Sequence, residues 1–338
     1  MRGGMSKLRV GLCGLGFMGD THLAGYANIR DAEVVAICHA NARRFAGSTK
    51  GNIGGLGSSA TIKQKARRYA TLADMLAAEK LDLVDVCTPT FTHADLACRA
   101  LRAGVHVLCE KPMALTVRDC DRMIAAARRA GKFLMAAHCL RWWPEYVFLE
   151  ELVRSGKYGK VKSLYLFRGS MPTSWAPWMS DESKSGGPLL DLHIHDLDQV
   201  LWLMGKPSAV AASLSKDRRV GSVFYRYPDC VATVEYNANL PGGFQFNMAY
   251  RVQFERATLI FDFMQKPALS LWTRGKLSNP RLATVNAYEA EIRYLLDCVR
   301  RGRAPRRLTS GEARDCVALG ILERKAALTG RWVSVPAS

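Results

Sequence analysis

The 338 residues exceed a typical single domain, and two domains are the default expectation. A hydrophobic content of 49% and a charged content of 23% describe an ordinary folded chain and exclude a disordered or fibrous one. No apolar run approaches the roughly 20 residues that span a bilayer, so no membrane partner is expected. The net charge of +18 is scattered apart from Arg300–Arg307, which reads as a solvated loop between helices. Without aromatic interleaving or a recognition motif, nucleic acid is not an expected partner either.

The amino terminus runs directly into an apolar segment, so no secretory leader is expected, and the ten cysteines contain no Cys-x-x-Cys pair. Reduced, mostly buried thiols in a cytoplasmic protein are the expectation. Through residue 140, short β-rich runs alternate with helical ones. The strands are Leu8–Cys13, Glu33–Cys38, Leu83–Cys87, Val105–Cys109 and Phe133–Ala137; the helices are Met18–Asn28, Ala42–Ala46, Leu72–Ala78, Thr92–Arg102 and Val117–Ala130. Gly47–Thr61, rich in glycine and serine, reads as a flexible insertion. Such alternation predicts a parallel sheet covered on both faces, a Rossmann domain over residues 1–140.

Beyond it, Pro144–Ser155 is a predicted helix and Lys160–Gly169 a strand. A Gly/Pro-rich loop and the helix Ile194–Leu203 follow. Consecutive strands then run at Ala209–Leu214, Ser222–Tyr227, Cys230–Asn237, Phe244–Val252, Ala257–Phe263 and Leu269–Trp272, before closing helices at Ala287–Arg301 and Ser310–Leu328. This texture predicts an α+β domain over 141–338 with a large, mostly antiparallel open sheet. Its free face would be buried by another copy, giving a homodimer or homotetramer.

Three segments carry chemistry. Gly14-x-Gly16-x-x-Gly19 lies between the first strand and the first helix, where glycines admit a pyrophosphate to the helix N-terminus. Cys109-Glu-Lys-Pro112 ends a strand, which places Lys111 at the carboxyl edge of the sheet, suited to stabilising alkoxide charge; an exposed Lys-Pro turn is the plainer reading. Gly186-Gly-Pro-Leu-Leu-Asp-Leu-His-Ile-His-Asp-Leu-Asp198 places Asp191 four residues before His195. On a helix they would share one face, a carboxylate orienting an imidazole for general-base work. Burial of a histidine and helix capping by Asp191 or Asp196 compete with that reading. Two imidazoles and three carboxylates in eight residues also suggest a metal-dependent hydrolase, but no distant ligands complete the pattern, and no metal is expected. Trp175 and Trp178, in a proline-containing loop, would stack on a sugar ring or pack structurally. For Trp142 and Trp143, packing is the better reading.

Taken together, Gly14-Leu-Gly-Phe-Met-Gly19 with His22, Thr88-Pro-Thr-Phe-Thr-His93, Glu110-Lys-Pro-Met-Ala-Leu-Thr116 and Gly186-Gly-Pro-Leu-Leu-Asp191 with His195-Asp resemble the Gfo/Idh/MocA family of sugar and polyol oxidoreductases, over roughly residues 7–205. The resemblance implies a Rossmann domain, an α+β carboxyl-terminal domain and tightly bound NAD or NADP. It also implies that Lys111, Asp191 and His195 are catalytic, acting on a secondary alcohol or ketone of a carbohydrate. Cofactor contacts would come from Gly14, Gly16, Phe17, Met18, Gly19, Thr88, Pro89, His93, Glu110 and Lys111. Two departures stand out. Where NAD-specific members end the second strand with an acidic residue, this chain has His39, with Arg43 and Arg44 nearby to pair with a 2′-phosphate, a lean towards NADP. His193 replaces a small residue and is expected to line the substrate pocket with Lys111, Arg168, Trp175, Trp178, Asp191 and His195. Relatives that oxidise a sugar only transiently to cleave a glycosidic bond, and non-catalytic sensors, are the alternative outcomes.

Overall fold

The computed structural model describes residues 6–46, 60–173, 176–244 and 246–337. They form two compact units, one made of the residues up to Cys139 together with Asn286–Arg314, the other of Leu140–Val285 and the residues from Asp315 onward.

In the first unit, strands β1 (Leu8–Cys13), β2 (Ala32–Cys38), β3 (Arg67–Tyr69), β4 (Leu83–Val86), β5 (His106–Glu110) and β6 (Leu134–Ala137) form a six-stranded sheet among the described residues. The order is β3-β2-β1-β4-β5-β6 and every pairing is parallel. Helices α1 (Phe17–Tyr26), α2 (Ala60–Lys65), α3 (Leu72–Ala78), α4 (His93–Arg102) and α5 (Val117–Ala130) connect them. β4 and β6 are buried along their whole length, which is why their sequence is continuously apolar but for Asp85 rather than alternating. The order reverses at β1 and β4, and that topological switch point is where this architecture binds ligands. The expected insertion lies outside the described residues from 47 to 59; its last residues belong to α2. β3 escapes sequence reading because Arg-Arg-Tyr, half-buried to exposed at the sheet edge, has no apolar pattern.

The second unit contains α6 (Pro144–Ser155), β7 (Val161–Gly169), the short helices α7 (Glu182–Ser185) and α8 (Gly187–Asp191), and α9 (Ile194–Met204). Strands β8 (Ala209–Leu214), β9 (Val220–Arg226), β10 (Val231–Asn237), β11 (Asn247–Phe254), β12 (Thr258–Asp262), β13 (Leu269–Thr273), β14 (Lys276–Ser278) and β15 (Val333–Ser334) complete it. They make a nine-stranded sheet among the described residues, ordered β14-β13-β12-β11-β7-β10-β9-β8-β15. Only the β7–β10 pair is parallel; the others are antiparallel. Burial alternates along β9, β10 and β11, so one face is packed and the other is not. Val234, Tyr236, Tyr250 and Val252 lie on the packed side, where β10 meets α9 and Tyr250 meets Tyr146 of α6, while Val231 and Phe224 remain exposed on the other.

An expected boundary at 140 assigns everything after it to the second domain. Instead α10 (Ala287–Arg301) joins the first unit and packs on α1. Its stripe of Ile292, Leu295 and Leu296 is buried, and Ile292 comes so near Gly25 that a β-carbon there would lie 3.2 Å from Ile292 Cδ1. The chain passes from the first unit to the second within α11 (Ser310–Thr329).

Candidate active site

The glycine turn joins β1 to α1. Gly14 has φ +97°, a left-handed conformation that side chains disfavour, and a β-carbon there would collide with the Cys87 carbonyl. A β-carbon on Gly19 would collide with the Gly14 carbonyl, whereas one on Gly16 would meet nothing within 4 Å. Two glycines therefore close the turn and the middle one keeps a space open. Gly16 is the N-cap of α1 and supplies no capping side chain. Open space before a helix N-terminus fits a pyrophosphate, held by N–H groups and the helix dipole. Phe17 and Met18 are half-buried beside it.

The end of β2 lies in the same unit. His39 is half-buried and its Nδ1 accepts the Asn41 N–H at 2.9 Å. Burial lowers its affinity for a proton, and the charges of Arg44 and Lys63 act in the same direction, against a backbone hydrogen bond to Asn41 that favours protonation. Arg43 is exposed, whereas Arg44 donates from Nε to the Leu15 carbonyl at 2.9 Å, inside the glycine turn. Lys63, which sequence reading missed, is buried and paired with Asp20 of α1.

At the carboxyl ends of β4 and β5, Thr88 and Pro89 are half-exposed. His93, expected to contact cofactor, is buried with Nε2 2.8 Å from the Thr88 carbonyl and Nδ1 2.9 Å from the Pro112 carbonyl. Burial lowers its proton affinity despite those two carbonyls. Its ring ties two loops together. Glu110 is likewise buried: Oε2 accepts the Lys111 N–H at 3.0 Å and Oε1 lies 3.1 Å from His22 Nε2. Burial opposes ionisation of Glu110, but His22 outweighs it and holds the carboxyl below its usual range. Lys111 itself stays half-exposed.

His22 is also 2.8 Å from Asp85 through Nδ1, and Cys87 Sγ is 3.4 Å from that nitrogen. Burial works against its charge, yet Asp85 and Cys87 raise its proton affinity well above that of free imidazole. His22, Asp85 and Cys87 are the only trio of metal-ligating side chains close enough to share an ion among the described residues, and their 2.8 Å His–Asp contact is a hydrogen bond. All ten cysteines are free thiols, including the registered neighbours Cys13 and Cys38, whose Sγ atoms are 3.1 Å apart.

The second unit sorts the Gly186–Asp198 segment. The helical run breaks between α8 and α9, with His193 as N-cap of α9. Asp191 and His195 are half-exposed on either side of the break. Their neighbours are spent internally. Asp196 receives Arg168 Nε at 2.6 Å and Nη2 at 3.0 Å, and Asp198 receives Arg141 Nη2 at 2.7 Å and Nε at 3.0 Å. Arg168 is 3% exposed, so the expected substrate contact is instead a buried counter-ion whose guanidinium also lies over Phe246. His193, expected in the substrate pocket, is wholly buried: Nε2 is 3.0 Å from Glu323 of α11, which also accepts the Tyr225 hydroxyl at 2.8 Å. These pairs consume the carboxylates and the imidazole that the hydrolase reading needs. Trp178 is half-exposed, and Trp175 lies outside the described residues. Trp142 is buried and Trp143 meets Phe263 edge-on at 6.1 Å, as packing residues do.

A doubly wound parallel sheet with an open glycine turn at its switch point, joined to a mostly antiparallel sheet, defines a dinucleotide-binding α/β scaffold. The chain belongs to the Gfo/Idh/MocA family: residues 8–138 match its oxidoreductase family, NAD-binding Rossmann fold, and residues 146–260 match its carboxyl-terminal domain. It is 30% identical to a D-glucoside 3-dehydrogenase of Escherichia coli, over 64% of this chain and 60% of that protein. It is 33% identical to a D-apiose dehydrogenase of Paraburkholderia graminis, over 63% of this chain and 54% of that one. The chain thus matches less than two thirds of the length of these relatives. A levoglucosan dehydrogenase solved with NADH and L-sorbose has the same fold, with a TM-score of 0.85 at 20% identity over 98% of this chain and all of the other.

Proposed function

We propose that the protein is an NAD(P)-dependent oxidoreductase that interconverts a secondary alcohol and a ketone of a sugar, polyol or related carbohydrate. The relatives are named as dehydrogenases of such compounds, and the observation that carries the reading is the sorting of ionisable side chains in the second unit. There Asp191 and His195 remain half-exposed while Asp196, Asp198 and His193 are buried in pairs.

A bound nicotinamide dinucleotide would supply the hydride acceptor or donor, held by Gly14, Gly16 and Gly19 and the N-terminus of α1. The chain's own residues handle the proton and the charge. In the oxidative direction His195 takes the proton of the substrate hydroxyl, and Asp191 orients its ring. Lys111 positions the substrate oxygen and stabilises the negative charge that grows on it. Trp178 offers an apolar face to a sugar ring. The preference for NADP over NAD rests on His39, which leaves no carboxylate to repel a 2′-phosphate, and on Arg43, exposed beside it.

The unpacked sheet face, with Phe224 43% and Val231 69% exposed, supports assembly into a homodimer or homotetramer, which light scattering on the purified protein would test. Ten free thiols agree with a cytoplasmic setting. The central experiment identifies any nucleotide released from denatured purified protein, then offers it with a carbohydrate panel while nicotinamide absorbance is followed. Turnover is expected, and Lys111→Ala or His195→Ala should abolish it while leaving dinucleotide binding largely intact. Full activity in either variant overturns the assignment.

A further inference from the structure

The turn that carries Lys111 is held on both flanks by buried histidines. On one side, Glu110 both accepts the Lys111 N–H at 3.0 Å and meets His22 Nε2 at 3.1 Å, and His22 is anchored to Asp85 at 2.8 Å. On the other, the Pro112 carbonyl is 2.9 Å from His93 Nδ1, whose Nε2 reaches the Thr88 carbonyl at 2.8 Å. His22 sits in α1, which opens directly from the glycine turn, and His93 is the first residue of α4, which opens from the Thr88–Thr92 loop. Both loops lie at the carboxyl end of the parallel sheet, where a dinucleotide is expected. Each is therefore linked to the lysine turn by one rigid imidazole.

Packing alone does not account for this arrangement. Burying an imidazole between two carboxylates costs desolvation that an apolar cluster of similar volume avoids. The same region also holds Glu291 of α10, fully buried with both carboxyl oxygens unpartnered, and burial raises its affinity for a proton strongly. Glu110 accepts the Lys111 N–H and faces the His22 ring as a charge-pair neighbour, and His93 bonds to Thr88 and Pro112, so this polar core is organised around the turn.

We infer that His22 and His93 are positioning residues that couple dinucleotide occupancy at the glycine turn and the Thr88 loop to the placement of Lys111. The inference rests on the proposed roles of that turn and of Lys111. Occupancy would stiffen α1 and the start of α4, and the two imidazoles would pass the restraint to Glu110 and Pro112, fixing the lysine between them. Neither histidine touches substrate.

The test is amide hydrogen exchange and acylation of Lys111 by an amine-reactive ester, both read by mass spectrometry on the full chain, with and without saturating NADP or NAD, whichever binds more tightly. In the unaltered protein the dinucleotide is expected to slow exchange across residues 106–116 and to change the Lys111 acylation rate, each by about tenfold. His22→Asn retains a donor only near the Nδ1 position and should abolish both responses; His22→Gln, with its amide near the Nε2 position, should restore them in part. His93→Gln should weaken them while the dinucleotide still binds. The inference is overturned if dinucleotide leaves residues 106–116 unchanged in the unaltered protein, or if the Asn and Gln variants respond alike. Where His22→Asn fails to fold, His22→Gln and His93→Gln carry the test: responses in both equal to those of the unaltered protein overturn the inference. If the coupling persists but Lys111→Ala retains turnover, the catalytic assignment fails and the coupling stands. If the coupling is absent and Lys111→Ala is inactive, the coupling fails and the catalytic assignment stands.

Discussion

The glycine turn and the Gly186–Asp198 segment show two different ways of making a site. In the turn, function depends on absent atoms: Gly14 and Gly19 have no room for a side chain and Gly16 has room to spare. In the later segment, the proposed role depends on which of several similar groups escapes burial. Asp191, Asp196 and Asp198 are the same residue type, yet two of them neutralise buried arginines and one stays half-exposed. His193 and His195 differ in the same way. A spacing of glycines is therefore a shape that can be read directly. A spacing of ionisable residues only nominates candidates, and packing chooses among them.

The largest test of that sorting removes a buried partner. Arg168→Met leaves Asp196 charged and alone, and breaking such a pair should cost about 3–5 kcal/mol in denaturant unfolding. A variant of unchanged stability would show that Arg168 is not structural. Next, the two histidines should respond oppositely. His195→Gln should lower kcat by roughly 10²–10⁴-fold at unchanged melting temperature. His193→Asn, whose amide lies near Nδ1 and cannot replace Nε2, should destabilise by about 1–3 kcal/mol because Glu323 loses a buried partner, with kcat little changed. Similar behaviour of both would erase the distinction.

On the cofactor side, His39→Asp places a carboxylate after β2 and should shift the NAD-to-NADP affinity ratio towards NAD by about tenfold, a repulsion on the order of 1 kcal/mol. Equilibrium binding of both nucleotides measures it. The smallest effect concerns His106 at the start of β5, whose pKa is lowered to about 4 by burial and then by Lys132. Its Nδ1 accepts the Phe133 N–H at 2.9 Å, which requires the neutral ring. The unfolded chain takes up that proton near pH 6.5 and the folded one only near 4, so stability is intact above pH 6.5 and declines as pH falls towards 4. His106→Gln should flatten that part of the curve, by on the order of 2 °C in melting temperature.

Much of the fold was legible because period and punctuation report backbone state: the βα alternation, the glycine turn and the run of antiparallel strands all stand in the sequence. β14, β15 and β3 are too short or too polar to leave such a record. The assignment of α10 was illegible for another reason. Its apolar stripe shows that one face is buried but not against which surface, and the partner, Gly25 of α1, is 267 residues before Ile292. At the site, Lys111, Asp191 and His195 could be nominated from motifs. The burial and internal pairing of Arg168, His193 and His93 could not, because their partners Asp196, Glu323 and Pro112 become neighbours only in the folded chain. Asp85 and Glu291, buried carboxyl side chains with no motif of their own, were missed altogether.

The return of α10 has a consequence for biosynthesis. A ribosome releases residues up to Cys139 well before it makes the helix that covers α1 and pairs Arg300 with Asp31. The nascent dinucleotide-binding unit must wait, with α1 uncovered, while the whole of Leu140–Val285 is translated. The order in which the units mature is thus set by the path of the chain, and the unit begun first is completed only after most of the second has been made.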